Sequence, residues 1–373
     1  MSFFWFVFPL FVVIFAYLGD ETKTKNKLVS QLSRIFLLFT ISIVLATCGS
    51  VYTDHEAYKN FYYWFTKTEG VDVSNIGEFF FSKTEASVSP LENGFAYLVW
   101  LIGKLNLTHI GFFFIIGAIT NIFIIKSLYR FQYPVLVFLL YIMSVHFQQE
   151  LNLIRQMLAV ALVFYSLRYI EKCEWRKFLL LIIISFMFHQ TSVIALPFLS
   201  LCFVKNSRNL WKIAKPVLMC LFVFSILVAL RKLVFDLSSI TMYFDIYEGY
   251  MDNEDRIGVG EQKIKPLYNL IVLLTLLRYK QENGKLIYIV FMVIGCVLNN
   301  LSIQAPNLSR IALYFTFAYI PMVPYLLGNC HLLKNRKVSS LCLYLYAAFY
   351  VSLLIKFILY GNHILGSKIE NLF

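Results

Sequence analysis

Twelve apolar runs, separated by polar gaps, are the feature that most constrains how this chain can fold. They lie approximately at 3–18, 35–48, 109–126, 134–147, 153–170, 178–189, 192–204, 214–230, 266–277, 286–300, 310–328 and 339–360. A helix needs about 20 residues to cross a bilayer core about 30 Å thick, so the shorter runs need tilt or polar ends. The runs do not alternate apolar and polar residues, which argues against a closed barrel. The sequence therefore predicts an all-α, polytopic membrane protein of about 12 transmembrane helices, with one membrane domain over 1–373.

Positive charge falls in every second gap between these runs. Those gaps, together with the run ends that border them, hold 20 of the 33 Lys and Arg residues and only five of the 21 Asp and Glu residues. Because basic residues collect in cytoplasmic loops, these gaps are predicted inside and both termini outside. Two long segments, 49–108 and 231–265, then form large outer loops. The net charge of +12 reflects this orientation and gives no support for nucleic-acid binding, because the basic residues are spread over separate short loops.

Several classes of chemistry lack their sequence signals. Walker A, G-x-G-x-x-G, G-x-S-x-G and H-E-x-x-H motifs are absent, and the seven cysteines are scattered without a C-x-x-C pair. We therefore expect no cofactor, no ATP-driven transport and no disulfide framework. The cluster Asp252, Glu254 and Asp255 could offer oxygen ligands to Mg²⁺ or Ca²⁺. It lacks the spacing of a calcium loop and is more typical of a solvated loop, so no metal site is predicted.

The outer loops have side-chain chemistry of their own. Residues 91–105 at the end of the first loop are apolar enough to predict an interfacial or partly inserted helix. The second loop carries three aromatic-acidic clusters, and long loops of this kind are usually lids or binding loops. The many tyrosines fit an aromatic belt at the bilayer interface, and stacking against sugar rings is the alternative interpretation.

Polar residues near the outer ends of the predicted spans are the strongest chemical signal. Charged groups at membrane depth are costly and usually face a cavity or a partner. By the predicted topology, four groups of them lie on the outer side, and their leading members are Asp54; Glu150, Arg155 and Gln156; His189; and Arg310 with Tyr314. Arginine forks suit phosphate oxygens. The pattern therefore suggests a lipid-linked phosphate or pyrophosphate as the ligand.

Each candidate also has a structural interpretation. Glu150 and Arg155 could form an ion pair that closes a tight hairpin, and His189 could be a hydrogen-bonded core histidine. Arg310 could extend towards lipid headgroups, and Asp54 could be an ordinary surface acid. Two arginines and one histidine on the same predicted side favour a binding site over four unrelated structural features.

Five motifs in order along the chain carry a family resemblance. They are Tyr52-Thr53-Asp54 with Tyr58, Glu92-Asn93-Gly94-Phe95, Ile154-Arg155-Gln156 with Ala159, Phe188-His189-Gln190-Thr191-Ser192, and Arg310-Ile311-Ala312-Leu313-Tyr314-Phe315. With these, the chain resembles the EpsG-like branch of the Wzy-type bacterial polysaccharide polymerases over roughly 45–365. Two positions depart from that pattern: Tyr52 replaces a Gly, and His-Gln-Thr-Ser replaces the usual His-x-Ser-Ala.

The resemblance implies a GT-C-like membrane glycosyltransferase in the bacterial inner membrane, with its active site facing outward. It would transfer a growing glycan from undecaprenyl pyrophosphate to the non-reducing end of an undecaprenyl-pyrophosphate-linked repeat unit, as an O-antigen polymerase does. Membrane lipid and a chain-length regulator are the further partners to consider.

The resemblance also implies roles for the site residues, because the leaving pyrophosphate gains negative charge and the acceptor hydroxyl loses a proton. Arg155 and Arg310 would hold the pyrophosphate, with His189 as a hydrogen-bond donor, and Gln156 and Tyr314 would also contact substrate. Asp54 would be the general base, and Glu150 and Glu92 are the other candidates.

Three other functions stay open from sequence. A repeat-unit flippase would be expected to carry cations deep in its spans and to have only short outer loops. An O-acyltransferase would be expected to keep its histidine near the inner face. An O-antigen ligase, which joins finished glycan to its lipid acceptor, is close in mechanism and is the hardest to separate.

Overall fold

The computed structural model describes residues 2–48, 53–67, 92–203, 207–234, 259–279, 285–302, 307–328, 335–346 and 348. Within these ranges all regular secondary structure is helical, which confirms the all-α prediction. The chain divides into two compact units, one formed by Met1–Leu199 with Cys342–Phe373 and the other by Ser200–Leu341.

The first unit holds most of the predicted site. Its helices are α1 (Ser2–Leu18), α2 (Lys27–Cys48), α3 (Thr53–Lys67), α4 (Asn93–Gly103), α5 (His109–Leu128), α6 (Pro134–Met143), α7 (Val145–Asn152), α8 (Ile154–Glu171) and α9 (Trp175–Phe188). A 3₁₀ helix, Gln190–Phe203, follows α9. The second unit contains α10 (Ser207–Val234), α11 (Val259–Arg278), α12 (Leu286–Leu301), α13 (Asn307–Thr316) and α14 (Tyr319–Gly328). A further helix covers 336–346 and includes residues of both units.

The described helices follow the predicted apolar runs, and several are compatible with a membrane protein. By length and apolar composition, α5 and the segment Lys27–Thr47 of α2 could each cross a bilayer. The bent pairs α6–α7 and α13–α14, at 53° and 46°, would each add one span if the two helices cross together. These findings leave the total of 12 spans as a prediction.

The two bends differ from the sequence prediction, which had continuous runs at 134–147 and 310–328. At the first bend, Ser144 has an extended backbone conformation (φ −83°, ψ 158°) that ends α6 and precedes α7. The second bend lies just before Pro321. Proline has no N–H to donate to residue 317, and its ring clashes with that carbonyl, so Pro321 favours a bend at Phe317 and Ala318.

The 3₁₀ helix covers most of the predicted apolar run at 192–204, which is too short to cross a bilayer as an α-helix. It contains 14 residues, which as an α-helix would extend only about 21 Å. A 3₁₀ helix rises about 2.0 Å per residue, so the same residues extend about 28 Å, close to the thickness of a bilayer core.

The described part of the segment 49–108 packs onto the helices of its own unit. A helix was predicted within 91–105, and the structure has one there, α4; α3 packs beside it through a cluster that includes Tyr62, Phe95 and Phe112. The Tyr62 hydroxyl donates to the Leu107 carbonyl oxygen at 2.8 Å. At the start of α4, a Cβ on Gly94 would lie 2.6 Å from the Met187 carbonyl oxygen, so this close approach to α9 requires glycine. These contacts bring the N-terminus of α4 to the C-terminal end of α9.

In the second unit, asparagine side chains join the helices. The side chains of Asn269 and Asn300 form two reciprocal hydrogen bonds, at 2.9 and 3.2 Å, and Asn300 also donates to the Ser225 hydroxyl. These bonds link α10, α11 and α12 in the way that polar side chains join helices in apolar surroundings.

Candidate functional site

Arg155, the second residue of α8, is the centre of the candidate site. Its Nη1 donates to Glu92 Oε2 at 2.6 Å and its Nε donates to the Tyr58 hydroxyl at 3.1 Å. The guanidinium carbon also lies 5.6 Å from the centre of the Tyr58 ring and 6.0 Å from that of Phe95. The Arg155 and Glu92 side chains are only 16% and 12% exposed. Arg155 is therefore oriented by one ion pair and two aromatic rings.

Glu92 connects three elements at this point. It immediately precedes α4, and its Oε1 accepts a hydrogen bond from the Gln190 backbone N–H at 3.4 Å, at the start of the 3₁₀ helix. Its other carboxylate oxygen holds Arg155 on α8. A carboxylate is also favoured at this position by the positive end of the helix dipole. Glu92 thus brings α4, α8 and the 3₁₀ helix together.

Asp54 lies one helical turn before Tyr58, in the first turn of α3. Its side chain is half-buried, and its backbone N–H donates to Asn152 Oδ1 at 3.3 Å, which ties α3 to the end of α7. Burial raises the pKa of Tyr58, Arg155 opposes this rise, and the carboxylates of Asp54 and Glu92 add to it. At neutral pH the Tyr58 hydroxyl therefore keeps its proton.

His189 joins the same cluster through the backbone. It follows α9, where its N–H donates to the Ser185 carbonyl oxygen, and its Nδ1 lies 2.7 Å from the Thr191 hydroxyl oxygen. The next residue is Gln190, whose N–H contacts Glu92. The structure therefore brings together the segments that carry four predicted site residues: Asp54, Glu92, Arg155 and His189.

Glu150 lies in different surroundings. It is only 3% exposed and accepts hydrogen bonds from the Asn121 amide, at 2.8 Å, and from the Tyr141 hydroxyl. A small cavity beside it is lined mainly by apolar residues of α2, α5 and α8. The ion pair considered for Glu150 and Arg155 is not what the structure has, because Arg155 pairs with Glu92 instead.

The remaining predicted site residues belong to α8 and α13. Gln156 is buried in α8, next to Arg155 in the sequence. Arg310 and Tyr314 both belong to α13 of the second unit, where Arg310 is exposed and Tyr314 is fully buried. The acidic cluster Asp252, Glu254 and Asp255 lies outside the described residues, as does Tyr52.

Sequence reasoning assigned no role in this arrangement to three contributors: Tyr58, Asn152 and the Gln190 backbone N–H. Tyr58 had a usable signal, because a tyrosine four residues after Asp54 shares its helix face. The roles of Asn152 and Gln190 depend on hydrogen bonds that join residues 98 positions apart. No local pattern reports such contacts.

Comparisons with known proteins give one family. Residues 31–364 match the EpsG family. No curated protein and no solved structure matches the chain.

Proposed function

Since this chain belongs to the EpsG family of polysaccharide-polymerase-like membrane proteins, we propose that it is a glycosyltransferase that polymerises lipid-linked repeat units. The donor is a growing glycan on undecaprenyl pyrophosphate, and the acceptor is the non-reducing end of one repeat unit on the same carrier. The reaction takes place at the outer face of the bacterial inner membrane, and O-antigen is the proposed product.

The environment of the Arg155 side chain is the observation that supports this proposal. Its guanidinium is largely buried, is held by Tyr58 and Phe95, and lies where α3, α4, α8 and the 3₁₀ helix meet. A guanidinium can donate two parallel hydrogen bonds to phosphate oxygens, which a lysine ammonium cannot. Such a group is suited to the charge that develops on a departing pyrophosphate.

The bonds that form and break in glycosyl transfer suggest the roles of Asp54, Arg155 and His189. The acceptor hydroxyl oxygen attacks the anomeric carbon of the donor, and the carbon–oxygen bond to the pyrophosphate breaks, with its electron pair passing to the phosphate oxygen. Asp54 takes the hydroxyl proton, which its half-buried place one turn from Tyr58 supports. Arg155 stabilises the leaving pyrophosphate, and His189 donates a hydrogen bond to the same oxygens.

Arg310 and Tyr314 keep their proposed part in substrate binding. The support for Arg310 is chemical: it is an exposed arginine one turn before a buried tyrosine in a motif that the family resemblance includes. The Arg310→Ala variant is expected to lose polymerisation, because the Arg310 guanidinium is proposed to bind phosphate oxygens of the lipid-linked substrate.

Deletion of the gene in its native host, with surface glycan separated on a gel, tests the proposed function. We expect caps of a single repeat unit in place of a ladder of polymer lengths, and restoration of the ladder by the wild-type gene. Loss of all surface glycan would instead indicate a flippase. Polymer that remains on its lipid carrier would indicate a ligase.

The proposed outward orientation has its own test. Reporter fusions after Lys27, Lys177, Lys212 and Lys337 should be cytoplasmic, and fusions near Ser74 and Asn253 should be external. A reporter at Ser74 on the same side as one at Lys177 would contradict the outer location of Asp54 and Arg155.

A further inference from the structure

The ion pair between Arg155 and Glu92 raises a question about any anion that binds there. Nη1 of Arg155 is already hydrogen-bonded to a carboxylate at 2.6 Å, in a place where both side chains are largely buried. A phosphate group that takes this position must displace Glu92 from it. Glu92 belongs to the same chain, so it competes at a high effective concentration.

This competition matters most at a membrane surface. Anionic phospholipid headgroups are abundant there and attract arginine side chains. Each phosphodiester headgroup carries one negative charge, as the Glu92 carboxylate does. The pyrophosphate that joins a glycan to its lipid carrier carries two. The single charge of Glu92 can therefore keep a phospholipid headgroup from binding Arg155 and still be displaced by a pyrophosphate.

We propose that Glu92 is a specificity-determining residue: it occupies Arg155 against singly charged phosphodiester headgroups and yields to pyrophosphate. This inference rests on the proposed function, in which Arg155 binds the pyrophosphate of the lipid-linked substrate. It gives Glu92 a role different from that of a general base.

Two contacts suit Arg155 and Glu92 to such an exchange. The Arg155 Nε is bonded to the Tyr58 hydroxyl, so the guanidinium keeps its orientation when the partner of Nη1 changes. Glu92 retains a second hydrogen bond, from the Gln190 N–H, through its other oxygen. Each side chain thus has one anchor that does not depend on the ion pair.

The test measures binding of farnesyl pyrophosphate to the full-length protein in phosphatidylcholine nanodiscs, with and without phosphatidylglycerol. Phosphatidylglycerol is a singly charged phosphodiester, so it supplies the competitor. We expect Glu92→Gln to bind the probe about tenfold more tightly than wild type in phosphatidylcholine alone, because the competing charge is gone. Adding phosphatidylglycerol should weaken binding by a larger factor in this variant than in wild type.

Glu171→Gln is the matched control, because Glu171 forms a similar ion pair with Arg130 at 2.7 Å. It should bind the probe as wild type does under both conditions. Tighter binding cannot arise from a variant that fails to fold. If Glu92→Gln cannot be purified, Glu92→Asp, whose shorter side chain reaches Arg155 less well, should show the same two changes with smaller factors.

Two outcomes would overturn the inference: unchanged or weaker probe binding by Glu92→Gln in phosphatidylcholine, or equal sensitivity of both proteins to phosphatidylglycerol. Arg155→Ala separates this failure from failure of the proposed function. If Arg155→Ala loses probe binding but Glu92→Gln behaves as wild type, only the role of Glu92 is wrong. If Arg155→Ala binds the probe normally, the pyrophosphate assignment itself is wrong.

Discussion

Glu92 and Glu150 are both glutamates with little exposure in the same compact unit, yet their partners differ in kind. Glu92 lies at the start of α4 and contacts an arginine and a backbone N–H. Glu150 lies in α7 and contacts a tyrosine hydroxyl and an asparagine amide, which are both uncharged. The first carboxylate is one half of an ion pair, whereas the second accepts hydrogen bonds inside a helix bundle.

This difference shows how surroundings assign separate roles to one residue type. Where a cation is the partner, the negative charge itself is needed, and an uncharged amide cannot replace it. Where hydroxyl and amide groups are the partners, hydrogen-bonding shape matters more than charge. We therefore expect acid-to-amide substitutions to have large effects around Arg155 and small effects at Glu150.

The largest effect is predicted for Asp54→Asn. The substitution keeps the size of the side chain but removes its ability to take the proton from the hydroxyl of the acceptor sugar. We expect the rate of polymerisation to fall by a factor of about 10²–10³. Protein abundance in the membrane should stay at the wild-type level. A gel of surface glycan from the complemented deletion strain should show single-repeat caps. A normal ladder of polymer lengths would show that Asp54 is not the base and that another carboxylate must take this role.

A smaller effect, on stability rather than rate, is predicted for Glu150. Glu150→Leu leaves the Asn121 amide and the Tyr141 hydroxyl without their shared acceptor, which costs about 1–3 kcal/mol of unfolding free energy. Glu150→Gln retains an acceptor oxygen and should polymerise as wild type does. Thermal melting in detergent and the glycan gel measure the two effects.

Single-repeat caps from Glu150→Gln at normal abundance would break the comparison between the two glutamates. That result would make the charge of Glu150 essential and would identify it as the base.

The smallest predicted effect concerns the packing of α3, which carries Asp54. His55 is buried and stacks on Phe113 with ring centres 3.8 Å apart. Burial first, and then the nearby charges of His109 and Lys59 against that of Glu56, lower its pKa to about 4. Because the unfolded histidine has a pKa near 6.5, the folded state binds fewer protons between these values.

The stability that His55 contributes is therefore complete above about pH 6.5 and is lost as the pH falls towards about 4. We expect the melting temperature of wild type to fall between pH 7.5 and pH 5 by roughly 1–3 °C more than that of His55→Phe, which corresponds to about 1–2 kcal/mol. Equal pH dependence of the two proteins would contradict the buried, uncharged state of His55.

Much of the helical architecture could be predicted because apolar length is a local property. The runs at 109–126 and 286–300 correspond closely to α5 and α12. The bend at Ser144 could not be predicted, because serine is compatible with a continuous helix and the break is a choice of backbone conformation. The bend before Pro321 had a local cause in the sequence that apolarity alone did not reveal.

The sequence predicted candidate residues whose segments the structure brings together, but it did not predict which side chains pair. Glu150 is five residues from Arg155, and this proximity suggested an ion pair that closes a tight hairpin. In the structure Leu153, with φ −99° and ψ 55°, ends α7 and precedes α8, and the two side chains have other partners. The actual partner, Glu92, is 63 residues away from Arg155, and α4, α5, α6 and α7 all lie between them in the sequence. Tertiary packing decided this contact.

The role of Arg155 is the central claim, and polymer length on a gel tests it most directly. The measurement compares wild type, Arg155→Lys and the double variant Arg155→Gln with Glu92→Gln in the deletion strain, at matched protein abundance. The double variant removes both charges, so that no buried carboxylate is left unpaired. We predict single-repeat caps for it and little recovery for Arg155→Lys, because a point charge does not reproduce the guanidinium fork. A ladder of wild-type lengths from the double variant would contradict the claim.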